Sequence, residues 1–571
     1  MPNLNIKSIK NRTFDAIVVG SGISGGWAAK ELTENGLNVL MLERGRDVKH
    51  GVDYPTTNMY PWEFQHRKKV PYDIVKENPV ASRCYAFNEE SMHFMVKDKE
   101  HPYIQEKPFD WIRGYQVGGK SMLWARQTQR WSNLDFEGPA RDGFAVDWPI
   151  RYQDIAPWYS HVEKFAGISG NKDGLESLPD GEFLPPFPLN AVEEYFGKSV
   201  SKNYSNRHVI TSRCAHLSKP DQIHLDQGRA QCQNRTLCER GCPFGGYFSS
   251  NASTIPWALK TGRLTLRPFS VVQSLIYDEQ KGKAAGVKVI DTNTKEEIEY
   301  FAKVVFVNAS TLNTNLILLN SKSHRFPNGL GNDNGLMGKY IAFHNYSAGM
   351  SAEYEGLLEW TTAGRSPGSA YIPRFRNLHK QETDFLRGYA SGFGARRMII
   401  REDKGVGIDF KKSLLNEKIG NWRVGSHMMG ETIPKESNFV NLHPVQKDEW
   451  GIPLLNISVD YDDNDTKMKK DYLEQLAEMF EKAGFTNIQA HDDKNKAPGL
   501  DIHEMGGVRM GLDPKTSLLN KWNQLHACKN VFVTDGACMT STSTQNPSLT
   551  YMALTARAAN YAVEELKKGN L

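Results

Sequence analysis

Apolar positions along this chain gather into short continuous runs rather than long alternating ones. Phe14-Asp15-Ala16-Ile17-Val18-Val19 has the length of a strand buried on both faces and is bounded by glycine. It passes into Gly20-Ser21-Gly22-Ile23-Ser24-Gly25-Gly26, then a helical stretch, Trp27-Ala28-Ala29-Lys30-Glu31-Leu32, closed by Gly36. A second run, Leu37 to Leu42, reads as a strand that ends at Glu43. Val304–Val307 and Val531–Thr534 are further apolar runs of the kind a doubly wound parallel sheet requires. Between them, Tyr371–Phe375 and Asn438–Leu442 read as strands and Lys467–Lys482 as an amphipathic surface helix. Residues 45–110, rich in Tyr, Pro, His and charge, read as too polar for a core. They are expected to form a long excursion that covers a ligand or meets a partner.

The first of these segments carries chemistry. Strand, Gly-x-Gly-x-x-Gly, helix, strand and acid is the order of a dinucleotide site. Gly20 permits the tight turn, Gly22 lets backbone N–H groups approach a pyrophosphate, and Gly25 lets helix pack on strand. Glu43 suits two ribose hydroxyls and would repel a 2′-phosphate. FAD and NAD both contain ADP, so these residues do not choose between them.

Composition narrows the class. At 571 residues the chain exceeds one ordinary hydrophobic core. Lys plus Arg number 70 against 66 Asp plus Glu, too small a surplus for a dedicated nucleic-acid binder. No run of 18 apolar residues suggests a transmembrane helix. The polar start has no signal-peptide apolar region, so the chain by itself is expected to stay in the cytoplasm. Seven cysteines, an odd count, speak against a disulfide framework.

Later motifs follow in a fixed order: Gly118-Gly119-Lys120-Ser121, Val307-Asn308-Ala309-Ser310, His503-Glu504-Met505-Gly506-Gly507, Thr534-Asp535-Gly536-Ala537 and Gln545-Asn546-Pro547-Ser548-Leu549. In this order they resemble the glucose–methanol–choline (GMC) oxidoreductases from about residue 12 to 566, most weakly between roughly 345 and 495. The resemblance implies an α/β protein with a discontinuous Rossmann-like FAD-binding domain (12–135, 228–340 and 500–571). A substrate domain on an antiparallel sheet (136–227 and 341–499) would complete it, with the cysteine segment 232–242 near the junction. It places Gly20, Gly22, Gly25 and Glu43 on the ADP half of FAD, and Gly118, Gly119 and Ser121 along the pyrophosphate and flavin side. Val272 would contact adenine, and Ala309 and Ser310 end a strand approaching the cofactor. Asp535 and Gly536 would meet the ribityl region, and Pro547 and Leu549 the flavin edge. Leu123 stands where one subgroup tethers the flavin through histidine, so FAD is expected to be non-covalent; Trp124 displaces the family's usual Asn.

Alcohol oxidation removes a hydroxyl proton and a hydride together, and a neutral imidazole suits the proton. The resemblance puts His503 at the catalytic-histidine position and Asn546 where a second His or Asn orients the hydroxyl. Cys232, Cys238 and Cys242, followed by Pro243, have a spacing typical of iron–sulfur ligation, and three thiolates suit a [3Fe–4S] cluster. Zinc with His216 or His224 as fourth ligand, a disulfide, or plain structural thiols are the competing readings, whereas Cys84, Cys214, Cys528 and Cys538 read as free thiols. The spacing resembles that of the catalytic subunits of bacterial FAD-dependent glucose dehydrogenases and glucoside 3-dehydrogenases. That resemblance implies a dehydrogenase oxidising a secondary hydroxyl, at C3, of glucose or a glucoside. A small companion subunit, a cytochrome c-type acceptor and export to the periplasm on the companion's signal are implied with it. The alternatives are an oxygen-using sugar or alcohol oxidase with structural cysteines, and a non-catalytic flavin-binding subunit.

Overall fold

The computed structural model describes residues 10–361, 367–400, 406–415, 418–493 and 496–571. Its parallel sheet is centred on Thr13–Val19, which pairs with Val39–Leu42 on one side and with the end of Glu297–Val307 on the other. Leu264–Arg267 extends the sheet beyond Val39–Leu42, and Cys528–Val533 extends it beyond Glu297–Val307, all in parallel. The continuous apolar runs follow from burial on two sides. Ala16, Val18, Val39, Met41, Val304, Phe306 and Phe532 face the helices Ile23–Glu34 and Ser548–Lys567. Their neighbours Ile17, Val19, Leu40, Leu42, Val305, Val307, Val531 and Val533 enter a second core with Trp27, Val272, Val287 and Tyr300. Each such fully buried side chain contributes about 1.5–3 kcal/mol, so a polar substitution in any of these strands would be severe. Ser270–Asp278 and Lys283–Asp291 form an antiparallel meander against the first half of Glu297–Val307.

A second, antiparallel sheet runs in the order Thr486–Asp492, Ala348–Tyr354, Lys418–Glu431, Tyr389–Ile400, Ala370–Ile372 and Ile210–Thr211. The strand expected at Tyr371–Phe375 is thus only Ala370–Ile372, since Pro373 has no N–H to continue the ladder. The expected amphipathic helix is Asp463–Lys482, and Met468, Tyr472, Leu476, Met479 and Phe480 bury its apolar stripe among the sheet's core residues. Phe439–Lys447 pairs instead with Pro453–Ser458, which runs parallel to Ile104–Gln105 in a separate three-stranded sheet. Arg387, fully buried, ties the larger antiparallel sheet to residues 134–142: it donates to Glu431 (2.9 Å), Asp142 (2.9 Å) and the Leu134 carbonyl (3.0 Å).

The reading of 45–110 as too polar for a core is overturned. Tyr54, Val80, Phe87, Phe94 and Met95 form an apolar cluster with Ile112, Met122 and Leu123. The segment is built mostly from turns and short helices, with one two-residue strand at Ile104–Gln105, so its apolar residues follow no period that would reveal a buried face. It also covers the cysteine segment: Thr57 Oγ1 donates to the Gly241 carbonyl (2.9 Å), and Arg240 donates to Glu90 and to the Met59 carbonyl (2.7 Å). Among the described residues no helix is long and apolar enough to cross a membrane.

Candidate active site

A cavity of about 520 Å³ opens at the carboxyl ends of the parallel strands, where open α/β sheets bind ligands. Gly20, Glu43, Asn308 and Asp535, which line it, follow the strands ending at Val19, Leu42, Val307 and close to Val533. Its far wall comes from the antiparallel sheet through Tyr371, Gly392, His427 and Met429. The site therefore lies between the two sheets.

The glycines divide by what a side chain would meet. Gly20 has φ +93°, and a Cβ there would lie 2.3 Å from the Asn308 carbonyl oxygen. At Gly25 a Cβ would stand 1.9 Å from the Gly20 oxygen, which is the close helix–strand contact expected of it. At Gly22 a Cβ would meet nothing within 4 Å. Gly22 is thus bare toward the cavity at the start of helix Ile23–Glu34, where N–H groups attract phosphate. Glu43 accepts from Ser21 Oγ (2.6 Å) and from Gly45 N (2.9 Å), and burial pushes its carboxyl up. Asp535 accepts from Thr314 Oγ1 (2.6 Å) and Ala537 N (3.0 Å), with burial raising it to about 6.

Gly119, Ser121, Val272, Ala309, Ser310 and Gly536 also line the cavity. Gly118 and Pro547 lie behind the wall: Gly118 packs on Asn251 at φ +93°, and the buried Pro547 precedes helix Ser548–Lys567. Leu549 is likewise buried in the core behind it. Leu123 and Trp124 both border the cavity, and Trp124 Nε1 donates to the Phe248 carbonyl (2.9 Å). A bare glycine at a helix start and a buried acid one strand away, both lining a void of about 520 Å³, fit FAD.

At the other end stand His503 and Asn546, 3.4 Å apart between Nε2 and Nδ2. Burial, reinforced by the nearby His344 and Lys120, holds the His503 imidazole well below its ordinary value of 6.5 and so neutral. Behind it is a residue the sequence did not flag. His344 Nδ1 lies 2.8 Å from His503 Nδ1, and His344 Nε2 lies 3.0 Å and 3.2 Å from the Ser543 and Thr542 carbonyls. Nothing near His344 in the chain marks it among sixteen histidines; its partners are brought in by the fold. Asp501 Oδ2 accepts from His344 N (2.9 Å), while Oδ1 is buried without a partner and burial raises the carboxyl to about 7. Lys120 pairs with Glu504 at 3.1 Å.

None of the seven cysteines is in a disulfide. Cys232, Cys238 and Cys242 border a second cavity, of about 50 Å³, with His216, Phe244 and Tyr247. Zinc would draw its thiolates to about 3.8 Å of one another, the tetrahedral edge for a 2.3 Å bond. Among the described residues the one trio of His, Cys, Asp or Glu groups close enough to share an ion is His344, Asp501 and His503, without the cysteines. His224 is no fourth ligand, because Nδ1 accepts from Asp221 N (2.9 Å) and Nε2 faces the Lys164 carbonyl (3.0 Å). His216 has Nε2 3.7 Å from Cys238 Sγ and a buried Nδ1 without a partner. Arg126, which lines the large cavity, lies over the Tyr247 ring at 5.0 Å with Nε and Nη1 buried and unpartnered.

A nucleotide cradle and a half-buried, neutral imidazole share one cavity between two sheets, an arrangement that fits a flavin-dependent oxidoreductase. Sequence models of the GMC oxidoreductase N- and C-terminal domains match residues 14–344 and 434–555. The chain belongs to the GMC oxidoreductases, FAD-binding enzymes that act on CH–OH groups. Among curated relatives it is 29% identical to the 2-methyl-1,2-propanediol dehydrogenase of Mycolicibacterium austroafricanum, over 96% of this chain and 94% of that one. It is 26% identical to the fructose dehydrogenase large subunit of Gluconobacter japonicus, over 97% and 98%. The solved pyridoxine 4-oxidase from Mesorbium loti shares the fold at TM-score 0.59 and 16% identity, over 96% of this chain and 98% of that one.

Proposed function

We propose that this protein is an FAD-dependent sugar dehydrogenase that oxidises a secondary hydroxyl of glucose or a glucoside, at C3. The observation that carries the reading is the half-buried, neutral His503 with Nε2 beside the Asn546 amide on the cavity. Bound FAD, held non-covalently, supplies the acceptor for the hydride that leaves carbon. His503 Nε2 takes the hydroxyl proton, and Asn546, which cannot act as a base, donates to the hydroxyl oxygen and holds its angle. Gly20, Gly22, Glu43, Gly119, Ser121, Val272, Ala309, Asp535 and Gly536 hold the cofactor. Tyr371 and His427 offer polar groups on the far wall, suited to a polyol. Two curated relatives named for sugar-derived substrates, the fructose dehydrogenase large subunit and a gluconate 2-dehydrogenase flavoprotein, support the substrate class.

Cys232, Cys238 and Cys242 carry an iron–sulfur cluster, of [3Fe–4S] type, in this reading. Its support is that the thiols surround a shared void instead of converging on one ion. Such a cluster supplies one-electron carriage to an external acceptor of cytochrome c type. A companion subunit that also carries the enzyme to the periplasm completes the proposal, consistent with a relative named as a large subunit.

The test is anaerobic addition of glucose or methyl glucoside to purified protein, with product analysis and iron and sulfide determination. Loss of the oxidised flavin spectrum, a 3-keto product and stoichiometric iron are expected. No reduction by either sugar would overturn the substrate class. Hydrogen peroxide released in air by iron-free protein would favour a GMC oxidase.

A further inference from the structure

The reading of His503 as the base requires one of its ring nitrogens to be free of hydrogen and facing the cavity, and the fold contains a device that selects which one. We infer that His344 is a positioning residue that fixes the tautomer of His503; the inference rests on the proposed role of His503 and deepens it. His344 Nε2 faces two carbonyl oxygens, those of Ser543 (3.0 Å) and Thr542 (3.2 Å). Carbonyls only accept, so Nε2 carries the hydrogen. A neutral imidazole has one N–H, and burial lowers His344 to about 4, which keeps it neutral. Its Nδ1 therefore presents a lone pair.

His503 Nδ1 stands 2.8 Å from that lone pair. Two lone pairs at this distance repel, so His503 Nδ1 carries a hydrogen and donates it. His503 Nε2 is then the bare nitrogen, on the side of Asn546 and the cavity. When the substrate hydroxyl proton passes to Nε2, the Nδ1–H bond to His344 is unchanged. His344 takes no proton, because its own hydrogen stays on Nε2. His344 does not border the cavity, so it acts only through His503.

The carbonyls that start this relay are themselves anchored. Ser543 Oγ donates to the buried Asp135 (2.8 Å), and Thr542 Oγ1 to the Thr432 carbonyl (3.4 Å). His344 N is held by Asp501 (2.9 Å). The other charged groups around the pair are Lys120 and Glu504, which neutralise each other at 3.1 Å.

Two substitutions and one spectrum test this in the FAD-loaded protein. His344→Leu removes the acceptor and keeps the bulk, whereas His344→Asn puts an amide oxygen near the place of Nδ1. Flavin reduction by glucose or methyl glucoside should slow by roughly 10²-fold in the Leu variant with substrate affinity unchanged, less than the ~10⁴-fold a wrong tautomer costs a protease triad. The Asn variant should recover most of the rate. An unaffected Leu variant, or equal loss in both, overturns the inference. Independently of any variant, nitrogen-15 NMR of histidine-labelled wild-type protein should show His503 protonated at Nδ1 and bare at Nε2; the reverse pattern overturns it. His503→Ala separates the two levels. A His503→Ala protein still reduced at the wild-type rate removes the base itself, while an inactive one beside a fully active His344→Leu removes only the role of His344.

Discussion

Asn546 brings its side-chain amide to 3.4 Å from Nε2 of His503, across 43 residues of sequence. One turn after the last parallel strand and one after the antiparallel domain thus meet at a single point on the cavity. Asn546→Ala removes a hydrogen bond to the substrate oxygen and leaves the base in place. The expected result is a roughly tenfold lower kcat/KM for sugar oxidation, the size of one neutral hydrogen bond, with FAD content unchanged. Steady-state kinetics beside a flavin spectrum check both.

The glycine turn separates folding from cofactor binding. Gly22→Val should fold with FAD-free stability close to wild type, because its side chain enters open space, yet retain little FAD, because that space is where a pyrophosphate would lie. Gly25→Val should lower the melting temperature with or without cofactor, since its Cβ would press on the Gly20 carbonyl at 1.9 Å. Thermal melts and flavin content distinguish them.

Buried titratable groups set the acid behaviour. Burial depresses His50, His93 and His344 to about 4 and His101 to about 3, so below their unfolded value of 6.5 the unfolded chain binds protons that the native state refuses. Their contribution is complete above pH 6.5 and is lost as pH falls toward about 4. Burial raises Asp465 to about 8, Asp501 to about 7 and Asp535 to about 6, which acts in the opposite sense as pH rises from 3.8. Below about pH 6 the two kinds of group oppose each other, and above pH 6.5 the raised Asp465 and Asp501 still titrate. The melting temperature should therefore decline from pH 6.5 toward pH 8; a profile rising over that range would contradict this assignment.

The cysteine cavity makes a separate prediction. Cys238→Ser should abolish iron binding and slow electron delivery to a cytochrome-type acceptor, while anaerobic flavin reduction by sugar persists. Iron analysis with stopped-flow absorbance checks it, and an iron-free wild-type protein would remove the cluster from the account.

Much of the fold was readable because its information is local. Phe14 to Glu43 holds a strand, its turn, a helix and a second strand in consecutive residues, and each reports its burial by composition alone. His503 and Asp535 were visible through the glycines and apolar strand beside them. His344 was not, since what makes it matter is a partner 159 residues away and two carbonyls 198 and 199 residues away. Phe439–Lys447 was legible as a strand but not in its sheet, because its neighbours include residues as distant as Ile104. The core of 45–110 escaped for a different reason: turns bury residues without any repeat.

The most direct measurement is anaerobic stopped-flow mixing of FAD-loaded wild-type and His503→Ala protein with glucose or methyl glucoside. The wild-type flavin should be reduced, and that of the equally loaded variant at least ~10²-fold more slowly, the minimum a positioned base contributes. Equal rates in the two proteins, or a wild-type chain that takes up no FAD, would contradict it.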